Sequence, residues 1–128
     1  MILNSESMKP IYVQIAEWLE TEILNGNIPE DERIYSQYQL AEMFNVNPAT
    51  AAKGLNLLAD EEIVYKQRGL GMYVSIHAKR SILKKRKDRL LREQVRALVL
   101  EAKCLDVGEE ELVRLIRQTV AESGDEKR

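Results

Sequence analysis

The stretch FNVNPATAAKGLNLL, residues Phe44–Leu58, decides the fold, because a helix start in it is followed directly by an amphipathic helix. The side chain of Asn47 can accept hydrogen bonds from free N–H groups of the first turn, and Pro48 lacks an N–H that would need a partner. The face predicted to point inward carries Ala51, Leu55, Leu58 and Ala59. The opposite face carries Ala49, Thr50, Lys53 and Asn56. We therefore predict a helix whose outer face is covered only by small or polar side chains near its start.

The segments before this helix predict two more helices. Apolar residues with helical spacing predict a first helix over residues 11–25, in which Trp18 is a core residue. Ser36 and Gln39 have the S-x-x-Q spacing of a capping box, which predicts a second, short helix. Gly54 lies inside the third helix, where a glycine costs about 1 kcal/mol relative to alanine. It indicates that a neighbouring helix approaches closely there, the alternative being a tolerated surface glycine.

After the third helix the spacing of apolar residues changes. The runs Ile63–Lys66 and Met72–Val74 are rich in β-forming residues and flank the turn RGLG, so we predict a β-hairpin. Residues 75–80 are the segment of the chain that most resembles a linker. Helical spacing returns from Ser81, and a last helix begins near Glu109.

The composition is that of a small soluble protein. The chain has 128 residues, 45% hydrophobic and 31% charged, which predicts one folded domain with an accessory element. Cys104 and His77 are the only residues of their types, so we expect no internal disulfide, metal site or cofactor. Because there is no long apolar run and no signal-peptide pattern, we expect a cytoplasmic protein without membrane contact. Nothing fills the roles of an active site, so we do not expect an enzyme.

Charge is distributed unevenly along the chain. Residues 1–65 contain 3 basic and 11 acidic side chains, whereas residues 66–96 contain 11 basic and 2 acidic ones. A localised basic band in an otherwise acidic protein suggests a polyanionic partner on one side. The basic residues from Lys79 to Lys87 have two interpretations, which are phosphate contacts near the hairpin and a solvated helix face.

Three helices followed by a hairpin form the order of a winged helix-turn-helix, so the predicted fold class is mainly α with a small β-hairpin. We assign residues 1–76 to this DNA-binding domain and residues 77–128 to a helical dimerisation region. The third helix of such a fold enters the major groove by its N-terminal end, and a basic, glycine-bearing hairpin tip suits a narrow minor groove. The DNA contacts predicted on these grounds are Asn47, Ala49, Thr50, Lys53, Asn56, Lys66, Gln67, Arg68 and Gly69.

Four motifs occur in order along the chain: P-I-Y-x-Q-I, S-x-x-x-L-A, V-N-P-x-T and R-G-x-G. In this order they resemble the DNA-binding domain of the GntR family of bacterial transcription regulators, from Lys9 to about Ser75. The short continuation of two helices looks like the YtrA-like branch of that family. The resemblance implies a repressor that binds double-stranded operator DNA as a homodimer formed through the tail. It also permits a small-molecule effector.

The resemblance adds Ser36 and Tyr38 to the predicted DNA contacts. Tyr38 stands where the family usually has an arginine that contacts a phosphate, so the position keeps a hydrogen-bonding group but loses the charge. We therefore expect weaker and less salt-dependent DNA binding than in arginine-rich relatives. The alternative is that Tyr38 is a packing residue.

The tail helices carry more apolar surface than one small domain needs, and such stripes are normally buried in a partner. A symmetric dimer would place two DNA-binding domains on two half-sites. Two alternatives remain open, which are a tail that folds back on its own domain and a winged-helix module that binds a protein partner instead of DNA. The predicted dimerisation residues are Leu83, Leu90, Leu91, Val95, Leu98, Ala102, Leu105, Leu112, Leu115 and Ile116.

Overall fold

The computed structural model describes residue 3 and residues 8–124. It confirms the predicted fold class, which is mainly α-helical with a two-stranded antiparallel hairpin. The chain divides into two compact units, one ending at Lys85 and the other beginning at Arg86. Among the described residues no helix is long and apolar enough to cross a membrane. The elements are α1 (Ile11–Leu24), α2 (Gln37–Phe44), α3 (Pro48–Asp60), β1 (Val64–Gln67), β2 (Gly71–Val74), α4 (Ala78–Lys85), a π-helical turn (Arg86–Leu91), α5 (Arg92–Cys104) and α6 (Glu109–Gly124).

The first unit has a core in which α1 and α2 both pack against α3. Its fully buried side chains include Ile15, Leu19, Leu40 and Leu58. Trp18 packs at the edge of this core, with its ring edge-on to Phe44 at a centroid distance of 5.1 Å. These are the apolar stripes expected from helical spacing.

The capping box predicted at the start of α2 is present. The backbone N–H of Gln39 donates to Ser36 Oγ over 3.1 Å, and the backbone N–H of Ser36 donates to Gln39 Oε1 over 2.8 Å. The two residues thereby satisfy backbone N–H groups that the first turn of a helix leaves without intrahelical partners. The start of α2 is therefore fixed by residues adjacent in sequence.

Gly54 lies at the contact between α1 and α3, as its position inside a helix predicted. A Cβ atom built at Gly54 would lie 2.9 Å from the backbone O of Tyr12 and 3.4 Å from Cγ2 of Ile15. Because the nearest atom belongs to the backbone of another helix, it cannot move aside as the tip of a side chain could. The absence of a side chain at this position allows the two helices to pack closely.

The substitution Gly54→Ala is expected to lower the free energy of unfolding by about 1 kcal/mol. Overpacking costs roughly 1–3 kcal/mol, and better helix propensity returns only about 1 kcal/mol of that cost. Urea unfolding followed by circular dichroism measures the difference. Gly124→Ala is the matched control, because this glycine also lies in a helix and a Cβ atom there meets nothing within 4 Å. A Gly54→Ala protein as stable as wild type would contradict the close contact.

A segment before α2 pairs with the edge of the hairpin, which the sequence did not predict. β1 and β2 pair from Val64 with Val74 to Gln67 with Gly71. Arg33 forms a β-bridge with Tyr73. Two hydrogen bonds flank the bridge, from Ile34 N to Met72 O at 2.9 Å and from Val74 N to Glu32 O at 2.8 Å. The hairpin is thus held to the helices by backbone pairing as well as by its buried side chains.

The helix α4 begins at Ala78, so the predicted start at Ser81 and the linker assignment of residues 78–80 are wrong. Near its start, Lys79 N donates to Glu30 Oε2 over 3.0 Å. Ala78 and Ile82 are fully buried in the core of the first unit. This unit therefore extends to Lys85, beyond the domain boundary predicted at residue 76.

Lys85, the last residue of α4, contacts two carboxylates. Its Nζ donates to Glu61 Oε1 over 2.9 Å and also forms an ion pair with the carboxylate of Glu20. Glu20 is buried, with 1% of its surface exposed. A buried carboxylate is costly without a positively charged partner. The cluster therefore ties the end of α4 to α1 and to the residue that follows α3.

The second unit has almost no core of its own. Within this unit the π-helical turn leads directly into α5, and a turn in which Val107 N donates to Ala102 O over 2.8 Å precedes α6. Among the described residues after Lys85, only Ala102 is buried. Two helices with so little buried surface need further contacts to be stable.

Candidate nucleic-acid interface

The start of α3 has the geometry predicted from Asn47 and Pro48. The backbone N–H of Ala49 donates to Asn47 Oδ1 over 2.8 Å, and Pro48 occupies the first turn. The preceding turn is tight, because Asn45 adopts a left-handed conformation with φ of 55° and Val46 N donates to Ala41 O over 3.0 Å. The path of the chain from α2 into α3 is therefore set by local hydrogen bonds.

The outer face of α3 is open to solvent. Asn47, Ala49, Lys53 and Asn56 are exposed, and Thr50 is partly buried. The Nζ of Lys53 lies 5.1 Å from the centroid of the Tyr12 ring, a cation–π contact that holds the ammonium group beside α1. The structure thus brings together the α3 residues that the sequence predicted, and no large side chain covers them.

The hairpin tip is exposed from Lys66 to Leu70 and turns at two glycines with positive φ, Gly69 at 77° and Gly71 at 100°. Leu70 N donates to Gln67 O over 2.9 Å, which closes the turn. Because L-residues with a side chain rarely adopt these angles, the two glycines are needed for the turn. The predicted contacts Lys66, Gln67, Arg68 and Gly69 are therefore presented together on one exposed turn.

Two tyrosines support the hairpin below this tip. The rings of Tyr65 and Tyr73 stack with a centroid distance of 6.0 Å, and the Tyr65 hydroxyl donates to Asp31 Oδ1 over 3.2 Å. Desolvation, the hydrogen bond to Asp31 and the negative charges of Asp31 and Tyr73 together raise the pKa of Tyr65. The hydrogen bond that Tyr65 donates thereby links β1 to the segment before α2.

The two residues added by the family resemblance occupy different environments. Ser36 is partly buried and its hydroxyl oxygen caps α2, whereas Tyr38 on α2 is 69% exposed. The exposure of Tyr38 favours a contact role over a packing role. That both residues touch DNA remains a prediction.

One residue of this region was missed by sequence reasoning. Arg33 directly follows the acidic run from Glu30 to Glu32, which hides its charge in the sequence. In the structure it is exposed, and its guanidinium lies against Gly71 of the hairpin. The only sign of its role in the sequence was that this basic residue directly precedes the apolar Ile34.

The second unit presents a different kind of surface, which is apolar. An open groove of about 500 Å³ runs along α6, lined by residues that include Leu98, Leu112, Leu115 and Ile116. Among the predicted dimerisation residues, Leu90 and Leu112 are partly buried, and Ala102 is buried within the chain, with only 6% of its surface exposed. Val99, Leu100 and Val113 add exposed apolar surface that was not predicted. The exposed predicted residues are Leu83 in the first unit and Leu91, Val95, Leu98, Leu105, Leu115 and Ile116 in the second.

Within the described residues no group of three or more His, Cys, Asp or Glu side chains could hold a metal ion. Cys104 is an exposed free thiol, and His77 is an exposed residue of the turn before α4. Neither is combined with other reactive groups into a site.

The sequence profile described as bacterial regulatory proteins, gntR family, matches residues 11–74. Among curated relatives, the HTH-type transcriptional repressor NagR of Bacillus subtilis (strain 168) is 37% identical over 75 residues, which are 59% of this chain and 31% of the length of NagR. The HTH-type transcriptional repressor YtrA of the same strain is 29% identical over 120 residues, which are 94% of this chain and 92% of YtrA. The chain therefore spans less than a third of NagR and nearly all of YtrA.

A solved structure has a similar fold. A GntR family transcriptional regulator from Listeria monocytogenes is 27% identical, with a TM-score of 0.69, and the match covers 88% of this chain and 97% of that protein. The similarity thus includes the helices of the second unit as well as the winged helix-turn-helix.

Proposed function

The chain belongs to the GntR family of bacterial regulatory proteins, and from this we propose that it is a transcriptional repressor that binds operator DNA sequence-specifically as a homodimer in the cytoplasm. Two relatives named as repressors support the proposal, one of which, YtrA, matches this chain almost from end to end. The start of α3 would enter the major groove, and the hairpin tip would contact the minor groove or the backbone.

The observation that carries the proposal is the exposed start of α3. Asn47 and Pro48 begin the helix without a bulky side chain, and the small side chain of Ala49 leaves the positive end of the helix dipole open to an approaching phosphate. Thr50 and Lys53 then lie one turn further on, within reach of base edges or phosphates. A protein-binding surface has no need of this combination, since its centre is normally rich in large apolar side chains.

The homodimer is supported by the second unit. Its helices are almost devoid of buried residues, yet they expose many large apolar side chains. Because apolar stripes of this size are rarely left in water, a second copy of the same tail is the simplest partner that would cover them. Two copies joined in this way would bind two half-sites of a palindromic operator.

Specific binding is expected to be visible in a direct titration. Fluorescence anisotropy of a labelled duplex from upstream of the protein's own reading frame is compared with a scrambled duplex at two salt concentrations. We expect at least about 1,000-fold tighter binding to the first duplex, a difference typical of specific recognition, and weaker binding at higher salt. Equal affinity for the two duplexes would contradict sequence-specific regulation. A small-molecule effector would be detected in the same titration as a shift in affinity.

The acidic surplus of residues 1–65 favours one other function, a winged-helix module that binds a protein partner. A segment with 3 basic and 11 acidic side chains repels DNA at long range. Three exposed cations nevertheless lie on the proposed DNA-binding surface, Lys53 on the outer face of α3 and Lys66 and Arg68 at the hairpin tip. The charge-reversal experiment in the Discussion separates the two functions.

A further inference from the structure

Arg33 is held beside the hairpin tip by its backbone and by a glycine. Its β-bridge to Tyr73 fixes its backbone at the edge of β2. A Cβ atom at Gly71 would lie 3.1 Å from Arg33 Nε and 3.2 Å from Nη2, so the guanidinium lies directly over the backbone of that glycine. Gly71 pairs with Gln67 in the last rung before the tip. The side chain therefore extends along the hairpin towards its tip.

The charge of Arg33 is not neutralised by the acidic residues around it. Among the described residues no carboxylate lies within 4.0 Å of its guanidinium. Two of the three acidic residues before it bond elsewhere, since Glu30 accepts from Lys79 N and Asp31 accepts from the Tyr65 hydroxyl. Arg33 is thus an exposed cation, close to the tip that carries Lys66 and Arg68.

We propose that Arg33 binds a phosphate of the DNA backbone from the edge of the hairpin, as a third cation beside Lys66 and Arg68. This rests on the proposed function, because it assigns one further contact to the same interface. A guanidinium held over a glycine keeps its N–H donors directed outward and loses little side-chain entropy on binding. Because Tyr38 is exposed and uncharged, the contribution of Arg33 to the total charge facing DNA is large.

The test compares Arg33→Gln with wild type in the anisotropy titration, on the upstream duplex and on the scrambled duplex, at several salt concentrations. A phosphate contact acts on any sequence, so the variant is expected to bind both duplexes about tenfold more weakly at low salt and to lose about one unit of salt slope. Arg33→Lys should retain the slope because it retains the charge. Lys103→Gln, which removes the same charge from the exposed end of α5, should leave both quantities unchanged.

The outcomes separate this proposal from the proposed function. If wild type prefers the upstream duplex and Arg33→Gln has wild-type affinity and slope, Arg33 makes no phosphate contact while the regulator stands. If wild type binds both duplexes equally and Arg33→Gln weakens both, the phosphate contact stands and sequence-specific regulation does not. No binding of wild type to either duplex overturns both proposals. Thermal unfolding of each variant checks that it is folded.

Discussion

Reversing the charges of Lys53 and Arg68 together is expected to weaken binding to the operator duplex by about 100-fold or more. Each residue is exposed, one on α3 and the other at the hairpin tip, and each belongs to the proposed DNA-binding surface. Loss of such a contact costs about 1–3 kcal/mol, and a glutamate adds repulsion from the DNA backbone. Since 1.4 kcal/mol corresponds to a factor of ten, two losses give a 100-fold effect without further assumptions.

The measurement is the anisotropy titration of the double variant Lys53→Glu, Arg68→Glu, with Lys53→Arg, Arg68→Lys as the charge-conserving control. Lys53→Glu also removes the cation–π contact with Tyr12, which is worth only about 0.5–1 kcal/mol at an exposed site. The fold should therefore survive, and thermal unfolding checks it. A double variant that binds operator DNA as wild type does would exclude this interface. A variant that retains binding to a protein partner after losing its charges would favour the protein-binding module.

How far the sequence predicted this molecule depends on the range of the interactions involved. The start of α3 was predictable because Asn47 bonds to the N–H of a residue only two positions away. The capping box of Ser36 with Gln39 is equally local. A glycine inside a helix is unfavourable, so Gly54 indicated a close helix contact. In the structure this contact is with the backbone O of Tyr12. These local features were sufficient to predict three helices and a hairpin.

Interactions between distant residues were not predictable in the same way. The start of α4 depends on Glu30, and its last residue, Lys85, is fixed by the buried Glu20, so neither end is marked in its own sequence. The β-bridge of Arg33 likewise joins two segments separated by the whole of α2 and α3. Local periodicity also does not indicate which apolar residues are covered within the chain, and Ala102, which was predicted at the dimer interface, is one that the chain itself buries.

If the protein is the proposed homodimer, two glutamates on the apolar face of α6 are expected to convert it to a monomer. Leu115 and Ile116 are 48% and 45% exposed and line the groove along α6. If a second copy covers this groove, Leu115→Glu with Ile116→Glu would bury two charges per chain without partners, which would cost several kcal/mol of the free energy of dimerisation. Light scattering coupled to size-exclusion chromatography would then report one chain per particle. Arg114→Glu is the matched control, because it changes the charge by the same amount on an α6 residue outside this groove.

The same double variant is expected to lose about 100-fold or more in operator affinity, although Leu115 and Ile116 are not among the predicted DNA contacts. Two linked DNA-binding domains gain roughly 10²–10⁴ in apparent affinity, because the second binds at a high effective concentration once the first is bound. Circular dichroism should also show a loss of helix from the second unit, which has almost no core to hold α5 and α6 without a partner. A variant that stays dimeric would mean that the groove on α6 is not the dimer interface. A variant that becomes monomeric but binds the operator as tightly as wild type would show that one DNA-binding domain is sufficient for recognition.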